Sequence, residues 1–96
     1  MYIVSLTYKV PNDVVDEYLE AHVEFLKEQY HKGHFLASGR KVPRSGGVIL
    51  SGIESIEALN QVINQDPFKQ NGVADYEIIE FIPSMTCAEL DFLRTT

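Results

Sequence analysis

The order of two hydrophobic periodicities constrains the fold more than any other feature of the chain. Over residues 2–10, apolar and polar residues alternate, which is the period of a β-strand with one buried face. After Pro11, apolar residues recur every three to four positions over 15–29, which is the period of an amphipathic helix. We therefore predict a first strand and then a helix from about Asp13 to Lys32.

Both ends of this helix carry recognisable terminal residues. Asn12 or Asp13 is predicted to be the N-cap, because short polar side chains accept hydrogen bonds from the free N–H groups of the first turn. Gly33 is predicted to end the helix, because glycine adopts the left-handed conformation that follows many helices.

Two further strands joined by a turn are predicted next. Residues 34–42 and 48–53 are rich in apolar side chains, and the Pro-Arg-Ser-Gly-Gly sequence over 43–47 is typical of a turn. We expect the two strands to pair antiparallel across it. The nearly continuous apolar run over 48–53 predicts burial on both faces.

A second helix and a fourth strand complete the pattern. Ser55 is predicted to cap the helix, which ends at Asp66 because the residue before proline avoids the α region. About one further helical turn over 67–72 then leads to a strand over 76–82, with apolar residues on both of its faces.

The resulting β-α-β-β-α-β order predicts an α+β, ferredoxin-like fold: a four-stranded antiparallel sheet with two main helices on one face. Thr86 and Glu89 fit a capping box that would begin a short C-terminal helix. We predict one domain over 1–96, with 83–96 as a C-terminal extension. The second apolar sheet face predicts a homodimer, unless the C-terminal helix covers part of that face.

The composition of the chain limits the classes of binding partner that we expect. The net charge of −6 disfavours nucleic acid, because an acidic surface repels phosphate backbones. The basic cluster of Arg40, Lys41 and Arg44 either attracts a small anion or forms a solvated loop. We expect no membrane partner, since no apolar run approaches the roughly 20 residues that a spanning helix needs. With no signal-peptide pattern either, the predicted location is cytoplasmic.

The sequence offers little for a metal or a bound cofactor. Cys87 is the only cysteine, so an intrachain disulfide and a cysteine-based zinc site are both excluded. His31 and His34 straddle a helix end and lack an evident third ligand. No phosphate-binding or dinucleotide-binding glycine motif is present, so we predict no cofactor and no metal.

His22 and Asp66 are the candidate chemical residues. His22 lies on the apolar stripe of the first helix, where a titratable ring costs free energy unless it finds a partner. A buried structural histidine and an Asp66 that only caps the next turn are the alternatives. If the fold brings the two together, the carboxylate would fix the imidazole tautomer and let His22 act as a general base. Spacing alone does not decide whether they meet.

The second strand and several tyrosines are further candidates. Gly39, after Ser38, marks either a simple kink or a place where a ligand approaches the backbone. Four tyrosines either line a pocket or belong to the core: Tyr8, Tyr18, Tyr30 and Tyr76.

The chain resembles the YciI-like family over nearly its whole length, to about Pro83. The resemblance rests on four segments in order: Tyr2-Ile3-Val4, Ala21-His22-Val23-Glu24-Phe25-Leu26, Gly33-His34-Phe35-Leu36-Ala37-Ser38-Gly39, and Asp66-Pro67-Phe68 to Gly72 with Tyr76-Glu77-Ile78. It implies a dimeric α+β barrel. One departure is Glu20, where many relatives carry a basic residue.

The resemblance also implies a site. His22 and Asp66 would be its centre, with Ser38 and Gly39 at the matching strand. We predict that His22 and Asp66 are catalytic and that Ser38, Gly39 and Arg40 bind a small-molecule substrate. A lyase-type role on small ring compounds has been suggested within the family. We therefore expect a cofactor-free lyase or isomerase; the alternatives are a non-catalytic ligand-binding or accessory module and, with less support, an oxygen-using barrel that degrades aromatic compounds.

Overall fold

A computed structural model describes residues 1–94 and contains four strands, three α-helices and one 3₁₀ helix. In chain order they are β1 (Tyr2–Tyr8), α1 (Asn12–His31), β2 (Phe35–Arg40), β3 (Gly46–Ser51), α2 (Ile56–Ile63), α3 (Pro67–Gln70), β4 (Ala74–Glu80) and the 3₁₀ helix (Ala88–Leu93).

The four strands form one antiparallel sheet in the order β2-β3-β1-β4. This order confirms the ferredoxin-like arrangement predicted from the sequence. β1 is central, with Val4 paired to Ile49 on one side and to Ile78 on the other. Because side chains alternate along a strand, Val4 and Leu6 point to the same face, and both are fully buried there.

The hydrophobic core lies between that face of the sheet and the helices. α1 contributes Val15 and Phe25, α2 contributes Leu59 and Ile63, and α3 contributes Phe68, which is 1% exposed. α3 also packs directly against α1. The short third helix therefore belongs to the core, and it brings the sequence after Asp66 against the middle of α1.

Of four predictions about helix ends, two are confirmed and two are wrong. Ser55 caps α2 as predicted, accepting a hydrogen bond from the Ala58 N–H, and Gly33 ends α1 with a φ of 78°. The predicted cap by Asn12 or Asp13 is wrong, because α1 begins at Asn12 itself with no side-chain cap. The capping box of Thr86 and Glu89 is also wrong, since the chain there forms a 3₁₀ helix without a side-chain cap.

The other face of the sheet is open in the single chain. Val48 of β3 is 39% exposed and Ile79 of β4 is 48% exposed, whereas Ile49 on the helix side is 3% exposed. The prediction that the third strand is buried on both faces is therefore wrong for one chain alone. Within residues 1–94, no helix has both the length and the apolar character needed to cross a membrane.

Candidate active site

His22 occupies the buried face of α1, at the point where α3 packs on it. The residue is 8% exposed. Its imidazole lies flat on the ring of Phe68, with ring centroids 3.9 Å apart and an interplanar angle of 4°. Stacking of this kind holds the plane of the imidazole, so its two nitrogens have fixed directions.

Asp66 supplies the partner that a buried histidine needs. Its Oδ1 lies 2.8 Å from His22 Nδ1 and also accepts a hydrogen bond from the Phe68 N–H at 3.0 Å. The second bond makes Asp66 the N-cap of α3, with Pro67 at the first helical position. Asp66 thus has the capping role and the pairing role that the sequence presented as alternatives.

Tyr76 completes the shell around the carboxylate. Its hydroxyl donates a 2.5 Å hydrogen bond to Asp66 Oδ2. Burial, together with the neighbouring Asp66 carboxylate, raises the pKa of the Tyr76 hydroxyl above its usual range, so it remains a donor at physiological pH. Asp66 is 1% exposed, and its two oxygens take three hydrogen bonds, as a buried carboxylate requires.

These contacts define the tautomer of His22. An ionised carboxylate only accepts hydrogen bonds, so His22 Nδ1 carries the proton that points to Asp66. His22 Nε2 makes no hydrogen bond within residues 1–94, yet it is not sealed from solvent. In this tautomer an imidazole has its lone pair at Nε2, which is the requirement for a general base.

The His22 ring lines a cleft of about 180 Å³ between α1 and the sheet. The apolar part of its wall comes from both layers: Leu6, Leu19, Val23, Leu26 and Ile49. Asp66 does not line the cleft and lies behind the imidazole. The arrangement thus places an imidazole at the cleft wall and the carboxylate hydrogen-bonded to it in the interior.

The predicted substrate-binding residues, Ser38, Gly39 and Arg40, also line this cleft. Ser38 Oγ shares a 2.5 Å hydrogen bond with the hydroxyl of Tyr30 from the end of α1. Arg40 makes no side-chain hydrogen bond or ion pair to any residue within 1–94. All five predicted site residues thus lie in or directly behind one cleft, while their roles remain a prediction.

Four residues of this site were not assigned to it from the sequence. Tyr8, Tyr30 and Tyr76 appeared only among tyrosines that either line a pocket or fill the core, and Phe68 was only part of a matching segment. Tyr8 lines the cleft. Tyr76 reaches Asp66 because β4 is the edge strand beside β1, which only the folded sheet reveals. Within the described chain, no three His, Cys, Asp or Glu side chains are grouped as a metal site would require.

The fold and this site together define a small α+β protein with a histidine–aspartate pair behind a cleft. Comparison with known families gives the same grouping: the sequence profile of the YCII-related domain matches residues 1–82. The chain therefore belongs to the YCII-related domain family, as its resemblance implied. Residues from 83 onward lie beyond the match.

The fold of this chain is similar to that of a solved enzyme structure. The 5-chloro-2-hydroxyhydroquinone dehydrochlorinase of Burkholderia phenoliruptrix, in complex with 2,5-dihydroxybenzoquinone, superposes with a TM-score of 0.69. The alignment covers 84% of this chain and 93% of that one, at 16% identity. At that identity the likeness establishes a shared fold. Comparison with the sequences of curated proteins gives no match.

Proposed function

We propose that this protein is an enzyme that moves a proton on a small ring compound, as a lyase or isomerase that needs no cofactor. His22 is the general base, and Asp66 orients it and stabilises the imidazolium that forms. The observation that carries the proposal is the 2.8 Å contact of His22 Nδ1 with buried Asp66, which leaves Nε2 free at the cleft. Such an arrangement is worth roughly 10²–10⁴-fold in rate.

The proposed step needs only the residues described. His22 Nε2 takes a proton from a carbon of the bound ring compound, and the electron pair of the broken C–H bond forms a double bond to the neighbouring carbon. In an elimination, a leaving group departs from the neighbouring carbon with its own electron pair. In an isomerisation, the imidazolium returns the proton at another carbon.

The structural neighbour supports this reaction class. A dehydrochlorinase removes the elements of hydrogen chloride, and its name places that reaction on a small ring compound. The resemblance in fold extends over most of both chains, and the cleft here is of a size for a similarly small ligand.

The experiment measures base catalysis directly. Purified protein is incubated with 5-chloro-2-hydroxyhydroquinone to follow chloride release, and with unchlorinated hydroquinones in D₂O to follow exchange of ring protons by NMR. We expect acceleration over buffer in at least one assay, and a loss of about 100-fold or more in His22→Gln and Asp66→Asn. His31→Gln is the matched control, because His31 is exposed at the end of the same helix.

Two results would contradict the proposal: no acceleration in either assay, or a His22→Gln variant that keeps its rate within a few-fold. The alternative is a non-catalytic ligand-binding or accessory module. The observation favouring it is that His22 is the only His, Asp, Glu or Lys among the cleft-lining residues of 1–94, so the hydroxyls of Tyr8 and Ser38 are the only other groups there that could exchange a proton, besides the Arg40 guanidinium. Tight binding of a ring compound that is recovered unchanged would favour this alternative.

We propose in addition that two copies pair through their open sheet faces. The register of the sheet places Ile3 beside Leu50 and Ile79 on that face, and Val48 lies next along it. Exposed apolar side chains in one patch are typical of an interface.

We also propose that 1–96 forms one domain with 83–96 as an extension. A cytoplasmic location is proposed too, because the reducing cytoplasm suits a chain whose single cysteine, Cys87, is exposed.

A further inference from the structure

We propose that the cleft binds a planar, single-ring compound that carries an anionic group, with the ring between α1 and the sheet and the anion on Arg40. This inference rests on the proposed function and names the substrate class of the same site. Three observations support it: the size of the cleft, the shape of its floor, and its charge.

The size of the cleft suits one ring. Its volume is about 180 Å³. An apolar cavity of roughly 150 Å³ is enough to bind benzene. A second fused or linked ring would therefore extend out of the cleft, whereas one ring with a small substituent fits within it.

The floor of the cleft has no side chain at Gly47. Gly47 pairs with Leu6, which points toward the helices, so the missing side chain of Gly47 would stand on the same face. Above this floor, Leu19 and Val23 of α1 supply an apolar roof, so the space between is suited to a flat apolar ring.

The charge of the cleft is opposite to that of the whole chain. The net charge is −6, yet no Asp or Glu is among the cleft-lining residues of 1–94. Arg40 lines the cleft without an ion-pair partner in that part of the chain, whereas Arg44 and Arg94 are paired with carboxylates. A free guanidinium is matched in geometry to a carboxylate or another oxyanion, so it selects an anionic ligand.

The positions of Arg40 and His22 connect this binding to the chemistry. Both side chains line the same cleft, so one small ligand can contact both. A cation beside the ligand would also stabilise negative charge that develops on the ring when Nε2 removes a proton.

The test uses three probes that separate ring from charge: benzoate, which has both, benzamide, which is its neutral isostere, and acetate, which is an anion without a ring. Each is titrated into ¹⁵N-labelled protein, and dissociation constants are taken from amide shifts. We expect benzoate to bind at least fivefold more tightly than either of the others. We expect Arg40→Gln to weaken benzoate about fivefold, as for a solvent-accessible ion pair, and to leave benzamide unchanged.

Arg94→Gln is the matched control, because it removes the same charge at a position outside the cleft. Equal binding of benzoate and benzamide, or an equal benzoate loss in Arg40→Gln and Arg94→Gln, would overturn the inference. The outcome is separable from that of the proposed function. Arg40-dependent benzoate binding without base catalysis supports the ligand class alone, and His22-dependent turnover without benzoate selectivity supports the catalysis alone.

Discussion

The Asp66 carboxylate determines what the neighbouring residues do. Its three partners, His22, the Phe68 N–H and Tyr76, leave both of its oxygens hydrogen-bonded in the interior. Because its oxygens are engaged on the interior side, the imidazole is oriented and its far nitrogen is left for a ligand. Burying a carboxylate costs free energy, and buried paired groups of this kind cluster at functional sites.

Tyr76→Phe tests the outermost part of this arrangement. At pH 7 the variant loses a hydrogen bond to a charged group, so we expect its free energy of unfolding to fall by about 1.5 kcal/mol. The pKa of Tyr76 is higher in the folded than in the unfolded protein, so its protonated hydroxyl contributes its full stabilisation below about pH 10, the ordinary tyrosine pKa. This contribution is lost as the pH rises further. The wild type should therefore lose more stability than Tyr76→Phe above about pH 10.

Urea unfolding at pH 7 and at pH 10.5–11 measures both effects. The other four tyrosines are common to the two proteins, so the difference between them isolates Tyr76. Parallel loss of stability in the two proteins across this pH range would show that the hydroxyl does not bond Asp66 in solution.

Some of these site residues were predictable from the sequence and others were not, for physical reasons. His22 was evident because a helical apolar stripe shows which residues face the core, and Asp66 because Asp-Pro marks a helix boundary. Their contact was not predictable, since the 44 residues between them define no distance. Tyr76 was missed because strand alternation gives the face of a residue but not its partner on that face.

At the scale of the elements, the pairing of β1 with β3 depends on one glycine. Thr7 pairs with Gly46, and a side chain at Gly46 would collide with the Leu6 carbonyl oxygen at 1.8 Å. We expect Gly46→Ala to lower the free energy of unfolding by about 3 kcal/mol, at the upper end of overpacking effects, because strand backbone must move.

Gly39→Ala is the control for this prediction. A Cβ at Gly39 meets no atom within 4 Å, so the same added methyl should change the unfolding free energy by no more than about 0.5 kcal/mol. Urea denaturation followed by circular dichroism compares the two variants. Equal stability of Gly46→Ala and Gly39→Ala would mean that β1 and β3 do not pair in this register.

Element order was predictable from the sequence, while element ends were less so. The periods of two and of three to four residues identified the strands and helices, and antiparallel pairing followed from their order. The caps at Asn12 and Thr86 were predicted wrongly because capping residues also occur where no side chain bonds the helix end. Ser55 succeeded because its hydroxyl reaches the Ala58 N–H.

For the whole molecule, the open sheet face predicts self-association. Ile79 is 48% exposed on that face, and a lysine there would place charge in the proposed interface. We expect the wild type to sediment as a dimer at micromolar concentration and Ile79→Lys as a monomer. Val42→Lys is the control, because Val42 is 91% exposed in a loop outside the sheet. A monomeric wild type, or equal effects of the two lysines, would contradict the dimer.

The central claim is that Asp66 holds His22 with its proton on Nδ1 and a free Nε2 at the cleft. ¹⁵N NMR of protein labelled in histidine measures this without a substrate, at about pH 9, where an ordinary imidazole is neutral. His22→Gln identifies the resonances. In the wild type we predict that Nδ1 is protonated and Nε2 is not. In Asp66→Asn we predict that the proton moves to Nε2. A proton on Nε2 in the wild type, or a mixture of both forms that Asp66→Asn leaves unaltered, would contradict the account.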